Sequence, residues 1–314
     1  MARPCAVPGQ ATTASGYGSI GPENAPTAGV VGQAFPPNQH CHGGTLTVRV
    51  VSGAGDLVAS GYDAFYAVWD RSPTLRQIWR QHVSGADYPE EFAHISFLPL
   101  AHLRSLVQGL DLGADQLLVD LACGAGGPGL LAARESGARL VGIDVSSMAV
   151  QRASERAGVL RMSERATFRQ GTFESTGLAS VSADAVMSID ALQYVPDKTA
   201  ALVEVARILR PGGRFAFVAF ELDPDRVAGL SFWQDAVPDY RPVLEQVGFD
   251  INEYSQILHW ADQVQAGFGA ILAEQDALEA ELGEAAAAAM VMEAAVTIEH
   301  MPYCGHVLAV ATRN

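Results

Sequence analysis

The chain has 314 residues, is 49% hydrophobic and carries a formal net charge of −15. That length and apolar content build one large domain or two small ones around a substantial core. The acidic balance, with no cluster of Lys and Arg, excludes a surface made to neutralise phosphates, so a small molecule or a protein is the expected partner and nucleic acid is not.

Cys5, Cys41, Cys123 and Cys304 have neither CxxC nor metal-ligand spacing. No apolar run approaches the roughly 18 residues of a membrane span, and no basic-then-apolar segment follows Met1. A cytoplasmic protein without membrane attachment or metal is expected. Residues 1–47 are rich in Gly, Pro, Ala, Ser and Thr, with Arg3 and Glu23 their only formal charges, and read as a disordered leader. From 56 to 109 a helical period sets in, with Tyr62, Phe65, Tyr66 and Trp69 three and four residues apart, and predicts a small helical cap.

From 116 to 257 strand and helix signals alternate. Strands are expected at Leu117–Leu121, Arg139–Val145, Thr167–Thr172, Ala185–Ile189, Arg214–Phe220 and Phe249–Ile257, and helices at Pro128–Glu135, Ser147–Val159 and Asp197–Leu209. Such alternation means a parallel sheet covered on both faces. A helical insertion is expected over 259–300, with one long Ala- and Glu-rich helix from Ala273 to Ala289, before a last strand in 306–313. The insertion reads equally as a lid over a pocket or as a packing helix pair.

The chemistry concentrates between the first strand and its helix, in VDLACGAGGPG (Val119–Gly129). Gly124, Gly126 and Gly129 form G-x-G-x-x-G, and Asp144 follows about 20 residues later at the end of the next strand, where a carboxylate meets ribose hydroxyls. This context suits any adenosine-containing cofactor. Asp120, inside the strand, adds a carboxylate able to receive an ammonium group, which favours S-adenosylmethionine (SAM) over a dinucleotide.

Together with GIDVS (Gly142–Ser146), ADAVMSIDALQYVPD (Ala183–Asp197) and ILRPGGRFAF (Ile208–Phe217), this stretch resembles the ordered motifs of class I SAM-dependent methyltransferases, nearest the ubiquinone-biosynthesis-like group that includes natural-product methyltransferases. The resemblance implies an α/β fold: a Rossmann-like, doubly wound seven-stranded sheet, the last strand antiparallel, with SAM as cofactor. It implies that Gly124 and Gly126 hold the methionine part, Asp120 its amine and Ala122 a backbone contact, while Asp144 binds the ribose and Val145 and Ser146 line the adenine. Thr172 and Phe173 stand where many relatives carry an acidic residue for the adenine amino group. Asp190 and Ala191 fall beside the methionine part and sulfonium, with a helix cap as the alternative role of Asp190. Tyr62 and Tyr66 fall where the N-terminal helices of this family fold over SAM.

Methyl transfer to a hydroxyl, phenol or acidic carbon needs a base, whereas a neutral nitrogen does not. Gln193 and Tyr194 occupy the place where some relatives carry histidines, so Tyr194 and Glu221 are the expected catalytic pair, with His94, His259, His300 and His306 as further candidates. Trp79, Tyr88 and Trp260 are expected around the acceptor. The expected activity is methylation of an O, N or C nucleophile on a small, natural-product-like molecule. Its alternatives are a quinone-pathway C-methyltransferase, a SAM-binding protein that transfers no methyl, and an NAD(P)-dependent oxidoreductase, which Asp120 and the Pro211-Gly212-Gly213 turn disfavour.

Overall fold

The strands follow from short apolar runs, and side-chain N-caps at Ser72, Ser146 and Asp197 start three of the helices. The computed structural model describes residues 62–229, 233 and 235–314, so the leader expected over 1–47 and the start of the cap lie outside the described residues. Seven strands, β1 (Leu117–Leu121), β2 (Arg139–Asp144), β3 (Ala166–Gln170), β4 (Ala183–Ile189), β5 (Leu209–Leu222), β6 (Phe249–Gln256) and β7 (Cys304–Arg313), form one sheet in the order β3-β2-β1-β4-β5-β7-β6. The first five pair in parallel, and β7 runs antiparallel to both β5 and β6. Strand β5 begins before the predicted Arg214: Ala183 pairs with Leu209 and Ala185 with Arg214, and the Pro-Gly-Gly turn bulges out between them.

Alternation along the strands sends two sets of side chains to two faces. On one face Leu118, Leu140, Met187, Val218 and Leu308 pack under α3 (Leu100–Leu110), α4 (Gly127–Ser136) and α5 (Ser147–Val159). On the other, Val119, Val186, Phe215, Phe217 and Ala309 pack under α6 (Lys198–Ile208) and α7 (Arg241–Gln246). Two cap helices, α1 (62–68) and α2 (Pro73–Trp79), precede these layers and pack on the first face. Ser146 and Asp197 start α5 and α6 as N-caps, their side chains accepting the N–H groups of Ala149 and Ala200.

The insertion departs from its expected form. It folds as three helices, α8 (Trp260–Ala273), α9 (Gln275–Leu282) and α10 (Glu284–His300), where one helix was expected across Ala273–Ala289. The breaks fall at Glu274 and at Gly283, whose φ of 86° and ψ of 157° lie where only glycine sits without strain. Glu281 on α9 reaches the start of α2, accepting from Ser72 Oγ at 2.5 Å, Thr74 Oγ1 at 2.8 Å and Thr74 N at 3.3 Å. Among the described residues no helix is long and apolar enough to cross a membrane.

Candidate active site

Between Leu121 and α4 the backbone turns through three left-handed residues, Ala122 (φ 57°), Gly124 (φ 52°) and Gly126 (φ 76°). Ala122 is the strained member, since a Cβ disfavours this region. The glycines serve different ends. A Cβ on Gly124 would collide with the Tyr66 hydroxyl, and one on Gly129 with the Asp120 carboxylate. A Cβ on Gly126 would meet Ala153 Cβ at 3.0 Å and the Phe168 ring at 3.1 Å, so this glycine admits α5 and β3. Gly124 lines a cavity with Tyr66, His94, Asp120, Ala122 and Ile189, whereas Gly126 does not.

Two buried carboxylates flank the loop from adjacent strands. Asp144 accepts the Gly124 N–H at 2.8 Å and the Ser146 N–H at 2.9 Å, so it shapes the loop before meeting any ligand. Burial pushes its carboxyl above the ordinary range, against the pull of those amides. Asp120 is pushed well up, first by burial and then by the charge of Asp144.

Beyond Asp144, the Val145 carbonyl is taken by Gln170 Nε2 at 2.9 Å. Ser146 is fully buried, and its hydroxyl donates to Asp63 Oδ1 at 2.5 Å while capping α5. The hydroxyl of Ser146, a residue expected to line the adenine, is therefore already engaged. Asp63 also accepts the Met148 N–H at 3.0 Å, which ties α1 to the start of α5. Sequence reasoning missed Asp63, whose partners lie more than eighty positions away. Thr172 is exposed and turns back on itself, its Oγ1 accepting the Ser175 N–H at 3.1 Å. Phe173 is buried in the cluster of the α6 face with Leu121 and Ile143. Tyr62 and Tyr66 stack with centroids 6.4 Å apart, and burial holds both phenols well above their ordinary values.

At the end of β4, Asp190 is also left-handed (φ 51°). Its expected alternative role as a helix cap is corrected: Oδ2 accepts the Phe97 N–H at 2.7 Å, Oδ1 lies 2.7 Å from His306 Nε2, and Asp197 caps the following helix instead. His306, on β7 opposite Phe220, is fully buried, lies flat against that ring at 4.3 Å and leaves Nδ1 without a partner. Phe97 and Phe220 continue into an aromatic cluster with Trp79, Trp260 and Phe268. Tyr88 stands elsewhere, edge-on to His94 at 4.5 Å.

Ala191 is half-buried and packs toward the α6 face. Tyr194 is half-buried against the cluster of Leu222, Val227 and Trp233, and burial, with the charges of Glu293 and Asp190, pushes its phenol far up. Glu221 is not brought to this end of the site. It shares the parity of Phe215 and Phe217, crosses Gly305, and accepts Tyr254 Oη at 2.6 Å and Gln256 Nε2 at 2.6 Å. His259 is exposed, and His300 holds the Val296 carbonyl at 2.9 Å through Nδ1.

Comparison with known proteins places this architecture. A family model described as a methyltransferase domain matches residues 119–217. The chain is 30% identical over 173 residues to 27-O-demethylrifamycin SV methyltransferase of Amycolatopsis mediterranei, covering 55% of this chain and 61% of that protein. It is 26% identical over 213 residues to 2-methyl-6-phytyl-1,4-hydroquinone methyltransferase of Synechocystis, covering 64% and 65%. In both cases the match spans less than two thirds of the relative's own length. Among solved structures, the cyclase SpnF superposes with a TM-score of 0.65 at 20% identity over 82% of this chain and 96% of its own. Phosphoethanolamine N-methyltransferase 2 of Haemonchus contortus, in complex with SAM, does so with a TM-score of 0.66 at 16% identity, over 84% and 60%. Motif order, sheet order and these likenesses agree: residues 119–217 match a methyltransferase domain, and the chain as a whole has the fold of the SAM-dependent methyltransferases it resembles.

Proposed function

We propose that the chain transfers a methyl group from SAM to an oxygen, nitrogen or carbon nucleophile of an apolar small molecule. The observation that carries this reading is the pair of buried carboxylates, Asp120 and Asp144, flanking the left-handed loop at the carboxyl ends of neighbouring strands. Burial holds both above the ordinary range, and a cationic ligand relieves them. The residues present fit SAM: an acid for the ammonium, a glycine loop lining the same cavity, and an unpartnered N–H donor beside it.

When bound, SAM supplies an activated methyl group on a positively charged sulfur, which leaves the protein the tasks of alignment and exclusion of water. In this reading Asp120 accepts the ammonium, Ala122 and Gly124 offer backbone, and Gly126 lets the loop pack. Asp144 keeps its two amides and turns its remaining lone pairs to the ribose. Tyr62 and Tyr66 cover the site from α1, where aromatic faces attract positive charge. Tyr194 stays a neutral phenol. His306 replaces Glu221 as the group that takes a proton from a hydroxyl acceptor: Asp190 accepts its Nε2–H and leaves the lone pair on Nδ1. The aromatic cluster between the cap and α8 suits an apolar acceptor. The free thiols of Cys123 and Cys304 fit a reducing cytoplasm.

The test is titration calorimetry with SAM, S-adenosylhomocysteine and NADH, followed by tritiated-methyl transfer to a panel of polyketide, phenol and quinol acceptors. Micromolar binding of the first two ligands and tritium in an acceptor are expected. Binding of NADH alone would overturn the reading, and tight SAM binding with no transfer to any acceptor would reduce it to a binding fold.

A further inference from the structure

His94 is 9% exposed, lines the loop cavity with Asp120 and Gly124, and leaves Nε2 buried without a partner. Its other nitrogen is engaged: Nδ1 accepts the Ser96 N–H at 3.1 Å and faces Ser96 Oγ at 2.7 Å. A backbone N–H cannot act as acceptor, so Nδ1 holds the lone pair and the neutral ring carries its proton on Nε2. Burial drives the ring's pKa down to about 4, the charge of Asp190 favouring protonation and that of Arg156 opposing it. The ring is thus a neutral, oriented donor, held edge-on against Tyr88. That assignment removes His94 from the candidate bases, because the nitrogen left without a partner carries the proton and has no lone pair to offer.

A buried N–H without an acceptor is costly, so the cavity suits a ligand that brings an acceptor. Asp120, on the same wall, calls for a cation. A ligand with ammonium and carboxylate on one carbon answers both at once. Resting on the methyltransferase reading above, we infer that His94 donates its Nε2–H to the carboxylate of the methionine part of SAM, forming with Asp120 a clamp for the amino-acid zwitterion. The site therefore discriminates between ligands that keep that carboxylate and ligands that lack it, which a ribose-and-adenine site alone does not.

The experiment compares SAM with decarboxylated SAM, which keeps the sulfonium and the amine, by calorimetry on the wild-type chain, His94→Phe and His94→Gln. A hydrogen bond to a charged group corresponds to roughly a ten- to hundredfold change in affinity. His94→Phe is expected to lose that much for SAM and less than twofold for decarboxylated SAM, and His94→Gln, which keeps a donor, to recover part of the loss. Equal losses on both ligands, or none on SAM, would overturn the inference. Wild-type protein that binds neither ligand would instead overturn the methyltransferase reading on which it rests.

If His94→Phe fails to fold, the wild-type protein decides. Nitrogen-15 spectra of the histidine rings should show the Nε2–H tautomer for His94, with its proton protected from exchange on addition of S-adenosylhomocysteine and unprotected with 5′-methylthioadenosine. An Nδ1–H tautomer, or equal protection by both ligands, would sink the assignment.

Discussion

Asp63 is one carboxylate joining two layers, and Asp63→Ala isolates what that junction does. It accepts Ser146 Oγ at 2.5 Å and Met148 N at 3.0 Å, with Ser147 Oγ at 3.4 Å contributing little. Two hydrogen bonds to a charged acceptor at about 1.5 kcal/mol each give about 3 kcal/mol holding α1 against α5. Helix α1 carries Tyr66, whose hydroxyl sits over Gly124, so the same energy holds Tyr66 over the glycine loop that the proposed reading gives to SAM. If SAM binds only the covered form, losing about 3 kcal/mol raises the apparent Kd by up to roughly a hundredfold. For a domain of this size a loss of about 3 kcal/mol lowers the melting temperature by several degrees. Titration of S-adenosylhomocysteine into Asp63→Ala and Asp63→Asn, with a thermal melt of each, measures both quantities, and the asparagine, which retains an acceptor, should fall between. An unchanged Kd beside a lowered melting temperature would refute the reasoning and leave Asp63 a capping residue of α5 only.

Asp144→Ala orphans the buried amides of Gly124 and Ser146 as well as the proposed ribose contact, so it should lose roughly 2–6 kcal/mol of stability and most S-adenosylhomocysteine affinity, read by urea melts and calorimetry. Gly126→Val should melt lower and not merely bind less, since its Cβ meets Ala153 and Phe168; a variant with wild-type melting and lost binding would contradict that packing. The Arg207 guanidinium, with the Thr176 hydroxyl and amide, holds Glu204 down to about 2 against an ordinary value of 4.5. A depressed folded pKa gives stability that is full above the ordinary value and lost as pH falls through the folded one, so the wild-type chain should lose roughly 3 kcal/mol between pH 4.5 and 2. Glu204→Gln should flatten that acid limb in melts across the range, and an unchanged limb would show that other carboxylates set it.

The sheet and its glycine loop were readable because their signals are local. Apolar runs marked β1 and β2 and helical patterning marked α5 and α6, whereas the Ser146 and Asp197 caps and the break at Gly283, obscured by the Ala and Glu propensities around it, emerged only in the structure. What stayed hidden is pairing across the chain. Asp63 with Ser146, His306 with Asp190 and Glu281 with Ser72 are separated by 83, 116 and 209 positions, and no periodicity links them. Glu221 shows the limit from another side: its place at the end of β5 was legible, and its parity with Phe215 and Phe217 was a usable signal. Which parity faces the cap is decided only once α3 and α6 choose their faces, and that depends on the whole packing.

The insertion leaves the sheet after Gln256 and returns at Cys304, and Gln256 pairs directly with Val307. Its two stems are therefore nailed side by side in an antiparallel ladder whose register owes nothing to the intervening residues. Such a stretch behaves as a cassette: lengthening it alters the closure entropy only slowly. A chain built this way can exchange one contiguous piece without disturbing the register of the sheet, provided the newcomer keeps a carboxylate to grip the start of α2.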